Sequence, residues 1–163
     1  MSAQSEHRTP DGLFYRVVGD GEPLLLLHGL MASGDMFDPL VTLLAGRFRM
    51  VIPDLRGHGR SGDVPGPYDV PALAADLDGV LNHAGVARCA VLGYSHGGAV
   101  AQQLALTRPS MVEKDDAGLH LRLQCIDAAG ARRSQCPPTI PQAIFAAVPR
   151  WPHHPAGEAQ AGW

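Results

Sequence analysis

The sequence predicts an α/β domain: a mostly parallel sheet with helices on both faces. Three observations predict it. Short apolar runs of strand length recur through the first two thirds of the chain, each closed by turn residues. Segments with apolar residues at helical spacing alternate with them. One run, Leu24-Leu25-Leu26-Leu27, is apolar on both faces, as a strand buried inside a parallel sheet must be.

In order, residues 13–18 form a β-branched and aromatic run between Asp11-Gly12 and Gly19-Asp20-Gly21, which reads as the first strand. Leu24 to Leu27 is the second. Ser33 or Asp35 is placed to cap a helix carrying Phe37, Leu40, Val41 and Leu44, stopped by Gly46. Phe48-Arg49-Met50-Val51-Ile52 is a strand ended by Pro53. Asp69 with Pro71 opens a helix whose apolar face is Leu73, Leu77, Val80 and Leu81, and Gly85 ends it. Cys89-Ala90-Val91-Leu92 is a short buried strand. A helix of small residues runs from Gly97 to Thr107 and stops at Pro109. The strands from Leu24, Phe48 and Cys89 are expected to be parallel.

Composition excludes several function classes. The chain has 163 residues with 13 Lys+Arg and 16 Asp+Glu, a formal net charge of -3. That is room for one ordinary domain. It offers no electrostatic case for nucleic acid or an anionic membrane as partner. No apolar run approaches the ~18 residues of a membrane span. The N-terminus has no basic segment followed by an apolar one, so no secretory signal is expected. Cys89, Cys125 and Cys136 contain no close pair. A disulfide scaffold and a Cys-rich metal site are therefore not expected, and a reducing cytoplasm suits the chain.

The composition changes near Val112. Residues 1–112 hold 31 Leu, Ile, Val and Phe, whereas residues 113–163 hold 8, with 6 of the 14 prolines and 10 alanines. A core needs more apolar residues than that. The reading is therefore a domain part over 10–112, its sheet cut short after the helix that ends at Thr107, and an atypical Ala/Pro/Arg-rich tail over 113–163 that is expected to be poorly ordered. The tail carries five acidic and five basic residues, so charge repulsion is not what sets it apart.

Gly93-Tyr94-Ser95-His96-Gly97 matches G-x-S-x-G and falls between a predicted strand and a predicted helix. Position makes the match informative. A serine on a sharp, strained strand-to-helix turn is lifted above the sheet edge. Glycines two residues either side avoid a Cβ that would strike the neighbouring strand or helix. The N-terminus of the new helix favours developing negative charge.

With these residues the chain resembles the α/β-hydrolase fold family of serine esterases, lactonases, perhydrolases and C–C bond hydrolases, over about 10–112. His28-Gly29-Leu30, after the second strand, is similar to the family's oxyanion loop. Asp54-Leu55-Arg56-Gly57-His58-Gly59-Arg60-Ser61 is similar to the loop that follows the family's next strand. The resemblance implies Ser95 as nucleophile, the backbone N–H groups of Leu30 and His96 as oxyanion donors, and His28 and Gly29 at the substrate. A serine at the elbow argues against epoxide hydrolase or haloalkane dehalogenase chemistry, in which aspartate stands there. The implied partner is a small ester-like molecule, and no cofactor or metal is implied. His28 and His58 are read as loop-shaping, His96 as lying at the mouth, and His83 as a solvated residue near a helix C-terminus.

A serine hydroxyl needs a base, and the base an orienting acid. The family order is Ser, then Asp or Glu, then His. Asp127 followed by His153 or His154 satisfies that order. Leu119, Leu121, Leu123 and Cys125 alternate with His120, Arg122 and Gln124, which permits a half-exposed strand ending at Asp127. The family's strand at this place is apolar on both faces, and His153-His154 sit between Pro152 and Pro155 with no strand to anchor them. The alternative reading is therefore a truncated or frameshifted chain that lacks acid and base. One permitted coding of Asp115 to Arg122, read one nucleotide later, gives the apolar Met-Thr-Leu-Ala-Cys-Thr-Tyr.

Overall fold

The computed structural model describes residues 4–112, together with the backbone of 114–115, 118–119 and 121–124. Its strands are β1 (Gln4–Arg8), β2 (Phe14–Val18), β3 (Glu22–Leu27), β4 (Phe48–Pro53), β5 (Ala90–Tyr94), β6 (Lys114–Asp115), β7 (Gly118–Leu119) and β8 (Leu121–Gln124). Its helices are α1 (Asp38–Leu44), α2 (Val70–His83) and α3 (His96–Thr107). Six strands make one sheet in the order β1-β2-β4-β3-β5-β8. The pairs of β3 with β4, β3 with β5 and β5 with β8 are parallel; β2 is antiparallel to both β1 and β4.

The four leucines of β3 explain why it lies inside the sheet. Leu25 and Leu27 face one side and pack with Val51, Val91, Leu73, Leu77, Val100 and Leu104. Leu24 and Leu26 face the other, with Val18, Met50, Ile52 and Phe37. A strand with both faces covered loses nothing by having no polar side, and each buried leucine contributes about 2 kcal/mol. The chain steps from β3 through α1 to β4 on one side, then through α2 back across β3 to β5. A right-handed crossover in each direction puts α1 and α2 on opposite faces. The contacts agree: α2 and α3 cover the first cluster, while Leu40, Val41 and Leu44 of α1 lie against the second.

The helix ends follow local chemistry. Asp69 caps α2, its carboxylate accepting the Ala72 N–H at 2.9 Å, and Pro71 sits in the first turn, where its missing N–H costs nothing. At the other end Gly85 takes φ 67°. There Val86 N–H donates to the Leu81 carbonyl and Gly85 N–H to that of Asn82. This is the pair of bonds that closes a helix through a left-handed residue. Ser33, not Asp35, caps the turn of 3-10 helix Gly34–Phe37 that leads into α1.

Two differences from the sequence reading have simple causes. β1 has no apolar pattern, because Gln4–Arg8 is an exposed edge strand held to β2 by its backbone ladder and by the polar side chains of His7 and Arg8, which lie on the Tyr15 and Phe14 rings. And the sheet does not stop at β5. β8, inside the segment of atypical composition, pairs in parallel with β5, Leu121 opposite Val91 and Leu123 opposite Gly93. β6 and β7 form a two-residue antiparallel ladder before it.

Candidate active site

The site is built where β3, β4 and β5 all end. At the C-terminal end of β5 the chain turns abruptly into α3, and Ser95 makes that turn with φ 51° and ψ -115°. Few L-residues adopt such a conformation without compensation. The flanking glycines make it sterically feasible. A Cβ at Gly93 would lie 2.4 Å from the Gly97 carbonyl oxygen, and one at Gly97 would lie 2.2 Å from that of Leu27. Strand, elbow and helix are thus packed backbone to backbone, with β3 directly beneath.

Ser95 occupies the N-cap position of α3, yet its side chain makes no capping bond. Serine is a preferred N-cap because its oxygen accepts a helix N–H. Here the strained backbone turns the hydroxyl away from that duty, and the residue is exposed. The first turn of α3 holds no acidic residue, so nothing within it neutralises the positive end of the helix dipole.

The loop after β3 lies against this turn. A Cβ at Gly29 would sit 3.0 Å from the Tyr94 ring and 3.4 Å from Ser95 Cβ. Gly29 is therefore in van der Waals contact with the elbow, and Leu30 follows it. Ala32 N–H donates to the Gly29 carbonyl at 3.3 Å, closing a turn over Leu30 and Met31.

His28 holds this loop from below. Its side chain is fully buried. Nδ1 donates to the Gly29 carbonyl at 2.8 Å, and Nε2 accepts the Leu55 N–H at 2.9 Å. That pattern requires the neutral tautomer with its proton on Nδ1. Burial pushes its pKa down, and the nearby rings of His58 and His96 push the same way against the Gly29 carbonyl and Asp54. The expectation that His28 meets substrate is corrected: both of its nitrogens are occupied by backbone, and it is Gly29 that lies against the serine.

The loop after β4 is organised by Asp54, whose part in the site the motif alone did not reveal. One carboxylate oxygen accepts the Gly34 N–H at 2.7 Å and the other the Arg60 N–H at 2.8 Å. A single buried acid thereby ties the loops after β3 and β4 together. Ser61, also buried, accepts the Phe14 N–H at 2.9 Å. Arg56 grips Asp76 of α2 with two N–H groups and donates to the Pro65 carbonyl at 2.7 Å. His58 donates through Nδ1 to the Arg56 carbonyl at 3.0 Å, and its ring centroid lies 5.3 Å from that of His28. The loop-shaping roles expected of His28 and His58 match this geometry.

His96 is half-buried, and burial, then the neighbouring His58, lower its pKa. His83 differs from expectation. It is exposed at the end of α2, but its Nδ1 pairs with the Tyr15 hydroxyl at 2.6 Å, and His7 stacks on the same tyrosine. Asp127, His153 and His154 lie outside the described residues. Among the described residues no group of three or more His, Cys, Asp or Glu side chains is arranged to hold a metal ion, and no helix is long and apolar enough to cross a membrane.

Comparison with known proteins agrees with the fold. The family model described as alpha/beta hydrolase fold matches residues 22–114. The chain is 45% identical over 91 residues to the magnesium-chelatase 30 kDa subunit of Rhodobacter capsulatus, covering 55% of this chain and 32% of that protein. A crystal structure of a hydrolase from Pseudomonas aeruginosa PA01 is 35% identical with a TM-score of 0.59, covering 68% of this chain and 43% of that one. The N-acyl homoserine lactonase AidH, solved with N-hexanoyl homoserine, is 30% identical with a TM-score of 0.60, covering 68% and 42% respectively. The chain spans about a third to two fifths of the length of the curated relatives it matches.

Proposed function

This chain belongs to the alpha/beta hydrolase fold family, and on that premise we propose that it is a serine hydrolase acting on a small carboxylic ester, a lactone or a related carbonyl compound. The observation that carries the reading is Ser95: a strained residue at a strand-to-helix turn, exposed, and spared the capping bond its position invites. Strain of this kind persists where the surrounding structure over-determines it, and it clusters at reacting centres. Likeness to a lactonase, whose substrate is a cyclic ester, supports the same class.

In this reading Ser95 Oγ bonds to the carbonyl carbon, and the carbonyl oxygen takes the negative charge. The N–H groups of Leu30 and His96 receive that oxyanion, each worth ~3 kcal/mol of transition-state stabilisation. The serine proton passes to a base. It is returned to the leaving alcohol as the carbon–oxygen bond breaks, and water then releases the acyl group from Ser95. His28 cannot be that base, since both ring nitrogens are engaged. By the family's chain order the assignments are Asp127 as acid and His153, with His154 beside it, as base.

The test is direct. A fluorophosphonate probe should label the chain and not Ser95→Ala. For a p-nitrophenyl ester, kcat/KM should fall ~10³-fold or more in Ser95→Ala, in Asp127→Asn and in the paired His153→Ala, His154→Ala variant. Loss confined to Ser95→Ala overturns the acid and base assignments. Parent activity no greater than that of Ser95→Ala overturns the enzyme reading in favour of a chain without a working base.

A further inference from the structure

We infer that Leu30 and Met31 form an apolar lip that receives the acyl chain of the substrate, so that the site favours esters of medium or long hydrocarbon acids. This rests on the reading of Ser95 as nucleophile. Among the described residues only two besides glycine have positive φ: Ser95 and Met31, the latter at 59°. Met31 is the third residue of the turn closed by Ala32 N–H and the Gly29 carbonyl. Glycine or asparagine suits that position, because an L side chain there crowds its own backbone. A large apolar residue that accepts such strain normally recovers the cost by burial. Met31 does not: it is 91% exposed, and Leu30 beside it is 62% exposed.

Two large apolar side chains therefore stand in solvent next to the glycine that touches the elbow. Their base is rigid, because Gly29 is buried and its carbonyl is held by both the His28 imidazole and Ala32 N–H. Tyr94 lies against Gly29, and burial lowers the pKa of the half-buried His96. An unfilled apolar edge beside the elbow fits a hydrocarbon chain. Methionine, unbranched and polarizable, suits a ligand without fixed shape.

Hydrolysis of p-nitrophenyl octanoate and p-nitrophenyl acetate by the full chain and by Met31→Gly tests this. Glycine accepts the positive φ, so the variant keeps the turn. The octanoate-to-acetate ratio of kcat/KM should fall about tenfold, and an unchanged ratio overturns the lip. A second measurement needs no catalysis. Fluorescence titration of dansyl-undecanoate into Ser95→Ala should show binding that adding Met31→Gly weakens about tenfold; equal affinity overturns the lip. Failure of the nucleophile reading shows separately, as octanoate hydrolysis indifferent to Ser95→Ala, and the titration still decides the lip.

Discussion

The imidazole of His28, at the end of β3, accepts the backbone N–H of Leu55, beyond the end of β4, at 2.9 Å. One fully buried side chain thus satisfies a polar group on each of the two loops beside Ser95, since its other nitrogen holds the Gly29 carbonyl. His28→Ala strands the Leu55 N–H and opens a cavity, at an expected cost of about 2–4 kcal/mol. The loop bearing Leu30 loses its support as well. Urea unfolding should show the lost stability, and fluorophosphonate labelling of Ser95 should slow in the still-folded fraction.

Stability should fall as the solution is acidified below neutrality. An unfolded imidazole takes up a proton near pH ~6.5. Burial pushes the folded His28 below that value. Below the unfolded pKa the unfolded chain therefore binds more protons than the folded one, and the contribution present above it is lost as pH falls toward the folded pKa. The slope for this one group approaches about 1.4 kcal/mol per pH unit. His96 acts in the same direction, weakened by its partial solvation. Urea midpoints at about pH 7.5 and about pH 5.5 measure the slope, and His28→Ala should flatten it. An unchanged slope in that variant would assign the acid sensitivity elsewhere.

Three glycines should respond in opposite senses to the same mutation. A methyl group at Gly93 or Gly97 meets backbone at 2.4 Å and 2.2 Å, where nothing can swing aside. Each alanine variant should lose at least ~3 kcal/mol or fail to fold. Gly79, inside α2, has nothing within 4 Å of its added Cβ. Gly79→Ala should stabilise the chain by ~0.5–1 kcal/mol. Thermal melts of the three variants are sufficient, and a destabilised Gly79→Ala would contradict the packing described for α2.

Ser95→Gly should separate stability from chemistry. Glycine adopts φ 51° without the penalty that serine bears there. The variant should gain about 1 kcal/mol and lose all fluorophosphonate labelling. Denaturant midpoints of parent, Ser95→Ala and Ser95→Gly should rank glycine highest. Alanine above glycine would show that the turn is not strained in solution.

Much of the fold is local and was legible. Four consecutive leucines bounded by turn residues suit a doubly covered strand. Asp69, Pro71 and Gly85 carry the start and stop of α2 in their own side chains and φ preferences. The G-x-S-x-G pattern located the elbow because its two glycines are demanded by backbone contacts within and beneath the turn. What stayed hidden depends on partners distant in the chain. β1 has no apolar pattern because it is an exposed edge that contributes its backbone and polar side chains, and that Asp54 bonds both Gly34 and Arg60 appears only once two loops meet. His28 looked like a substrate contact until the Leu55 N–H arrived at its second nitrogen. Met31 is a further case: nothing in the string Gly29-Leu30-Met31-Ala32 marks a left-handed residue, because the closure of that turn is set by the packing of Gly29 against Tyr94 and Ser95. Sequence determines which groups seek burial and where the chain must bend. Which polar atoms satisfy one another across loops is decided only by folding, because the energy of a hydrogen bond depends on a distance that no spacing along the chain encodes.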